Sequence, residues 1–254
     1  MIIRRRRDGR RWRWAYANDN LFTLMGELYM HGWGVRKNFA RAFHWFRWEY
    51  ITGSPVLSSG NMGMCYYYGW GVKKNVARAL AIWFAKRPVS GKTNYLLAGA
   101  LLTGRGIRAN RKAGVADLFN AANFDYLPGT MMLARMEWRG RLGSHKKLFL
   151  ASKYFAQAAE AGNALAADYL ARVLLQRRKK AVAAGNLFAS QWMLQKAVVW
   201  LRRAARRGNA DAARRLSVYY AIGRGVPKNK RLSIVWKRAA AHDRPPPPQP
   251  PLLP

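Results

Sequence analysis

The side chains able to do chemistry decide first which reactions this sequence supports. Ser90-Gly91-Lys92-Thr93 ends as a phosphate-cradling loop ends. Such a loop needs a glycine five positions before Gly91 and a strand leading into it, because backbone N–H groups must wrap the phosphate at a strand-to-helix turn. Lys86 stands at that place and no strand pattern precedes it. The run reads instead as a linker in which Ser90 or Thr93 caps the helix that contains Tyr95 to Leu102. Gly69-Trp70-Gly71 and its copies lack the strand and third glycine of a dinucleotide fingerprint. His31, His44, His145 and His242 are scattered and Cys65 is the single thiol, so no metal-ligand spacing exists and neither a metal nor another cofactor is expected. Glu27, Glu49, Glu137 and Glu160 fall on predicted helices near arginines, which predicts ion pairs and not a catalytic pair of carboxylates. No local Ser/His/Asp or Cys/His set marks a nucleophile. The expectation is a protein that is no enzyme and has no small-molecule substrate.

What the sequence does carry is charge. Its 254 residues hold 46 Lys plus Arg against 11 Asp plus Glu, a formal net charge of +35. Even with every acid paired, 35 cations lack a partner, which points to outside anions. At 50% hydrophobic residues the chain is too apolar for a disordered basic tail. A lone cysteine rules out an internal disulfide framework. The longest apolar stretch, around Tyr95 to Thr103, is about half of the roughly 20 residues that a bilayer span needs. Both ends differ from the middle. Arg4, Arg5, Arg6, Arg7, Arg10, Arg11 and Arg13 surround Trp12 and Trp14, with only Asp8 opposing them. With no apolar core of a secretory signal, this arm over residues 1–17 is read as an RNA-phosphate-binding extension with Trp12 and Trp14 as base-stacking candidates, or as a mitochondrial targeting segment. Residues 244–254, from Arg244 through Pro245–Pro248 to Pro254, favour an extended polyproline tail.

The elements between these ends are set by a repeat. Gly32-Trp33-Gly34-Val35, Gly69-Trp70-Gly71-Val72, Gly104-Arg105-Gly106-Ile107 and Gly223-Arg224-Gly225-Val226 share one form, and the first three begin 37 and then 35 residues apart. Gly140-Arg141-Leu142-Gly143 is a weaker copy. Helical apolar spacing flanks each element, so the glycines punctuate helical hairpins. Six residues upstream of each comes a small residue: Gly26, Gly63, Ala98, Ala134 and Ser217. Downstream, an Ala and an aromatic recur three apart, as Ala42/Trp45, Ala151/Tyr154 and Ala197/Trp200, which predicts a knob-and-hole rhythm.

This pattern resembles the Sel1-like repeat family, relatives of the tetratricopeptide repeats. Ser217, Gly223-Arg224-Gly225-Val226, Trp236, Ala239 and Ala240 carry the match in the last copy, and Ala158-Ala159-Glu160-Ala161-Gly162-Asn163 and Ala204-Ala205-Arg206-Arg207-Gly208-Asn209 close two others. The resemblance implies an all-α fold: an α-solenoid, a right-handed superhelix of about six helical-hairpin repeats over residues 18–243. It also implies adaptor or scaffold proteins. The fifth repeat departs from the pattern, with Arg177 where the first glycine belongs and an insertion near residues 177–190, to be met by a bulging loop or a longer helix.

Positive charge concentrates late in the chain: from Arg172 to Arg244 there are 19 Lys or Arg against Asp211 and Asp243. Arg202, Arg203, Arg206 and Arg207 are expected together on one face of a helix, Arg214 and Arg215 open the next, and Arg177, Arg178, Lys179 and Lys180 form the inserted run. Together they predict a ridge that contacts RNA phosphates. No base-reading motif accompanies them, so recognition is expected through shape and backbone. In composition the chain resembles accessory proteins of organellar ribosomes. That resemblance implies a structural protein of the mitochondrial ribosome in the matrix, or alternatively the cytoplasm or nucleolus, present as one copy in a large assembly and contacting ribosomal RNA and neighbouring ribosomal proteins. The alternatives are a protein adaptor using an aromatic groove near Trp33, Trp45, Trp48 and Trp70, and an accessory subunit of a mitochondrial membrane complex. Those tryptophans are expected mainly in core and inter-repeat packing.

Overall fold

A computed structural model describes residues 21–52, 55–85, 90–142 and 147–241. The Arg/Trp arm, the Pro-rich tail, His145, His242 and Gly143 lie outside the described residues. Twelve helices and no strand occur among the described residues. They are α1 (Leu21–His31), α2 (Phe39–Thr52), α3 (Pro55–Tyr68), α4 (Val76–Ala85), α5 (Gly91–Thr103), α6 (Arg111–Asn123), α7 (Leu127–Arg139), α8 (Leu148–Glu160), α9 (Ala164–Ala183), α10 (Leu187–Arg206), α11 (Ala210–Ile222) and α12 (Lys230–Ala241). Consecutive helices pair as hairpins, and the fold is an all-α solenoid of such pairs. Contacts divide it into two compact units, residues 1–117 and 118–254.

Four of the hairpin turns, those after α1, α3, α5 and α11, are built from two glycines and an asparagine. At Gly104 the backbone is left-handed, with φ 71°, and its N–H reaches Ala100 O at 2.9 Å, so α5 ends where a side chain would be strained. Asn110, six residues on, donates its N–H to Leu101 O at 2.9 Å while its side chain accepts from Ala113 N at 3.0 Å. One residue thus ties the turn to the helix behind it and caps the helix ahead. Asn38, Asn75 and Asn229 repeat both bonds. The second glycine has another purpose. A Cβ on Gly71 would lie 2.1 Å from Phe39 O, at the start of the previous hairpin's second helix, and one on Gly225 would meet Leu194 at 2.8 Å. These glycines let one hairpin approach the next.

Inside the first two hairpins a large side chain seats on a glycine. A Cβ on Gly26 would sit 2.2 Å from the Phe46 ring, and one on Gly63 would sit 2.0 Å from Trp83 Nε1. The seated residue follows the buried alanine by four positions, not three: Ala42/Phe46, Ala79/Trp83, Ala151/Phe155 and Ala197/Leu201 are all buried. Trp45, Tyr154 and Trp200, three positions on, are only half-buried. At 100° per residue the i+4 position lies about 40° from the alanine and the i+3 position about 60° to the other side, so the first falls on the buried stripe and the second at its rim.

The irregular fifth hairpin is resolved as longer helices. Without a glycine at Arg177, α9 runs on to Ala183, and α9 and α10 reach 20 residues each where the other hairpin helices have 10 to 14. Gly185, with φ 72°, and Asn186, whose side chain accepts from Ala189 N at 2.8 Å, make the turn at the new tip.

Candidate interaction surfaces

Buried polar groups show where the few acids are spent. Asp168 on α9 is fully buried and takes Arg172 and Arg215 at 2.6 Å each. Burial pushes its carboxyl up, against the pull of Arg215 and Arg172. Arg215, expected on an open phosphate ridge, is instead a structural partner 47 residues away in sequence. Arg214 pairs with Asp211, whose carboxyl the Arg214 hydrogen bond holds below the usual range. Glu49 is buried and accepts from the Thr23 hydroxyl. Glu137 is buried too; burial raises its carboxyl while Lys147 opposes that.

Of the four arginines at the end of α10, Arg202 donates to Tyr220 Oη at 3.1 Å and Arg207, the residue after the helix, to Ala159 O at 3.2 Å, while Arg203 lies 4.6 Å over the Trp200 ring and Arg206 is exposed. The run that looks single in sequence is divided at its ends, Arg202 turning to α11 and Arg207, just past the end of α10, to the end of α8. In the inserted run, Arg177 donates to Ser152 Oγ at 2.9 Å and covers Phe149, Arg178 is half-buried, and Lys179 and Lys180 are exposed. Arg4 to Arg13, Trp12 and Trp14 lie outside the described residues.

Aromatic faces do much of the work that acids do elsewhere. Arg41 lies 5.4 Å from the centre of the Tyr29 ring and Arg78 lies 4.8 Å from that of Tyr66, at equivalent places in consecutive hairpins. Arg105 over Tyr67 and Arg224 over Tyr219 repeat the device at the Gly-x-Gly turns. Such contacts hold a cation without a carboxylate. Sequence reasoning missed both this use of arginine and the capping asparagines; a fixed Gly-to-Asn spacing of six residues was the available signal for the latter.

Trp70 is sandwiched between Phe39 and Tyr68, at 5.6 and 4.7 Å, and Trp45 stacks on Phe22, both in keeping with packing. Trp33 and Trp48 are not core: Trp33 is 57% exposed and stacks on His31 at 4.5 Å, and Trp48 is tilted against His44. Cys65 is buried, and burial pushes its thiol up to about 12, too high for a nucleophile at neutral pH. Lys92 donates to Asn61 Oδ1, and burial holds its ammonium below the ordinary lysine range. Ser90 caps α5, accepting from Thr93 N at 3.3 Å, which gives the phosphate-loop look-alike a structural role. Among the described residues no three His, Cys, Asp or Glu side chains gather as a metal site, and no helix is long and apolar enough to cross a membrane.

These hairpins, four of them closed by Gly-x-Gly turns, coincide with six matches to the Sel1 repeat, at residues 23–47, 60–85, 92–116, 129–163, 194–209 and 210–242. The chain belongs to the Sel1 repeat family. In the extended hairpin only 194–209 matches, so α9 and the first turns of α10 fall outside the family pattern. A Sel1 repeat protein from Oxalobacter formigenes is similar over 89% of each chain, with 22% identity and a TM-score of 0.67. A protective antigen of uropathogenic Escherichia coli with the same repeat fold is similar at 23% identity and a TM-score of 0.66; the match covers 89% of this chain and 46% of the antigen. These likenesses concern the fold. No curated relative matches the chain.

Proposed function

We propose that this Sel1 repeat protein is a non-catalytic scaffold that holds an acidic protein partner against its extended hairpin region. One observation carries the reading. From residue 169 to 210 there is no acid, but there are 10 Lys or Arg. The acids at either end of this span, Asp168 and Asp211, are already engaged by Arg172, Arg214 and Arg215. A surface with one sign of charge and exposed apolar side chains matches a partner of opposite sign.

A second reading is favoured by the net charge of +35: the same surfaces, with the Arg/Trp arm, contact ribosomal RNA in the mitochondrial matrix as part of a mitoribosome. Density-gradient sedimentation of the native protein separates the two. Migration with a protein complex that RNase leaves intact supports the acidic-protein scaffold. Cosedimentation with a ribosomal subunit, abolished by RNase and steeply weakened by salt, supports the RNA reading instead. Migration as a lone chain under both treatments overturns both.

A further inference from the structure

Beside the extended hairpin is a cleft of about 670 Å³. Its walls are the first turn of α8, the end of α9 and the first two turns of α10. It exists because α9 and α10 outgrow the family pattern: Lys180, Ala181, Ala184, Asn186 and Ala189 all belong to the extension. Phe149, Leu150 and Met193 give it an apolar surface, and Phe149 is 67% exposed, covered in part by the Arg177 guanidinium at 5.4 Å. Lys147, Arg177 and Lys180 supply three cations, and no acid lines the cleft. Leu187 and Phe188, next in sequence to Asn186, are 73% and 85% exposed.

We propose that the cleft between α8 and the α9–α10 extension is a docking site for an acidic peptide segment of a partner protein, one that inserts a bulky apolar side chain between flanking carboxylates. This rests on the scaffold reading and gives it a site. Charge complementarity selects the sign of the occupant: three cations with no acid among them attract carboxylates. The concavity and its aliphatic walls select the anchor. A single Leu-, Met- or Phe-sized side chain against Leu150 and Met193 is desolvated there, as at the centre of other interfaces. Single-stranded nucleic acid is held largely by stacking on aromatic faces, and the lining has one aromatic ring, Phe149, with the Arg177 guanidinium already over it. Arg177 is fixed at its place by the bond to Ser152 Oγ, which preorganises one of the three cations.

The test is selection of a displayed random-peptide library against the whole chain. Recovered peptides should concentrate Asp and Glu around one Leu, Ile, Met, Phe or Trp. Their affinity should fall roughly tenfold or more for the double variant Lys147→Glu/Lys180→Glu. Ala184→Trp, which fills the cleft from an exposed position, should abolish binding with the helical circular-dichroism signal unchanged. If that variant does not fold, the double charge variant, changed only at exposed side chains, gives the decision. Peptides without acidic bias, or peptides that bind both variants as well as the parent, overturn the cleft and leave the scaffold reading standing. Failure to recover any peptide, together with sedimentation as a lone chain, overturns both. Poly(U) or phosphatidylserine vesicles that bind the parent and lose binding to Ala184→Trp, while no acidic peptide does, assign the cleft to RNA or membrane and likewise overturn the proposal.

Discussion

The α3–α4 and α9–α10 hairpins are built on one plan and end differently. In the first, Gly69 stops α3, Asn75 starts α4, and Trp83 lies 1% exposed over Gly63. In the second, Arg177 allows α9 to continue, and the chain turns only at Gly185 and Asn186. The shared part, from Ala166 to Leu174 and Leu194 to Ala205, buries its apolar stripe of Ala166, Ala167, Leu170, Val173, Leu174, Leu194, Ala197, Leu201 and Ala204. On the surplus turns Val182, Leu187, Phe188 and Trp192 stand exposed. Helix stop signals therefore set more than length: moving one glycine converts core into a presented surface.

Substitutions should sharpen that contrast. Trp83→Ala removes a fully buried ring and is expected to cost about 3–5 kcal/mol, read by chemical denaturation. Phe188→Ser at the exposed tip should stay within about 0.5 kcal/mol of the parent. Similar losses at the two positions would mean that the extension is part of the core. Next in size is Gly63→Ala. Its Cβ would occupy space held by Trp83, which cannot move aside, and a loss of about 1–3 kcal/mol is expected. A neutral result would break the seated-ring account.

The asparagine turns give a smaller effect. Asn75→Ala should cost about 1 kcal/mol through the lost cap. Asn186→Ala has the same cap to lose but sits where fewer neighbours depend on the helix start, so thermal melting should drop by less. A larger drop at Asn186 would show that the tip, not the shared part, holds the fifth hairpin together. The smallest effect is a pH slope from Lys92. Burial lowers its pKa in the folded chain relative to the unfolded one. Below the folded value both states carry the proton and the cost of a buried charge is fully present. As pH rises through that value the folded state sheds its proton first, and stability increases. Melting temperature should therefore rise with pH below the ordinary lysine value of about 10.4, and Lys92→Met should flatten the rise. An unchanged slope in that variant would assign the titration to another group.

The helices, hairpin order, Ser90 cap and glycine turns were legible in the sequence because each rests on hydrogen bonds and side-chain periodicity spanning a few residues. The small-residue positions were legible too, since Gly26 and Gly63 recur at fixed distance from the turn. The seated aromatic was misplaced by one position, because Trp45 and Phe46 both lie near the stripe and only a neighbouring helix chooses between them. The fate of the cations lay further out of reach. Composition determined that most lack an acid, but only tertiary packing decided that Arg215 joins Asp168, that Arg202 and Arg207 turn to different neighbours, and that Lys147 and Lys180 come to line one cleft. Those pairings join residues some 18 to 48 apart, and they depend on which hairpin faces stack. A local pattern determines what each turn does; the distance between two side chains on different turns exists only once the turns are packed.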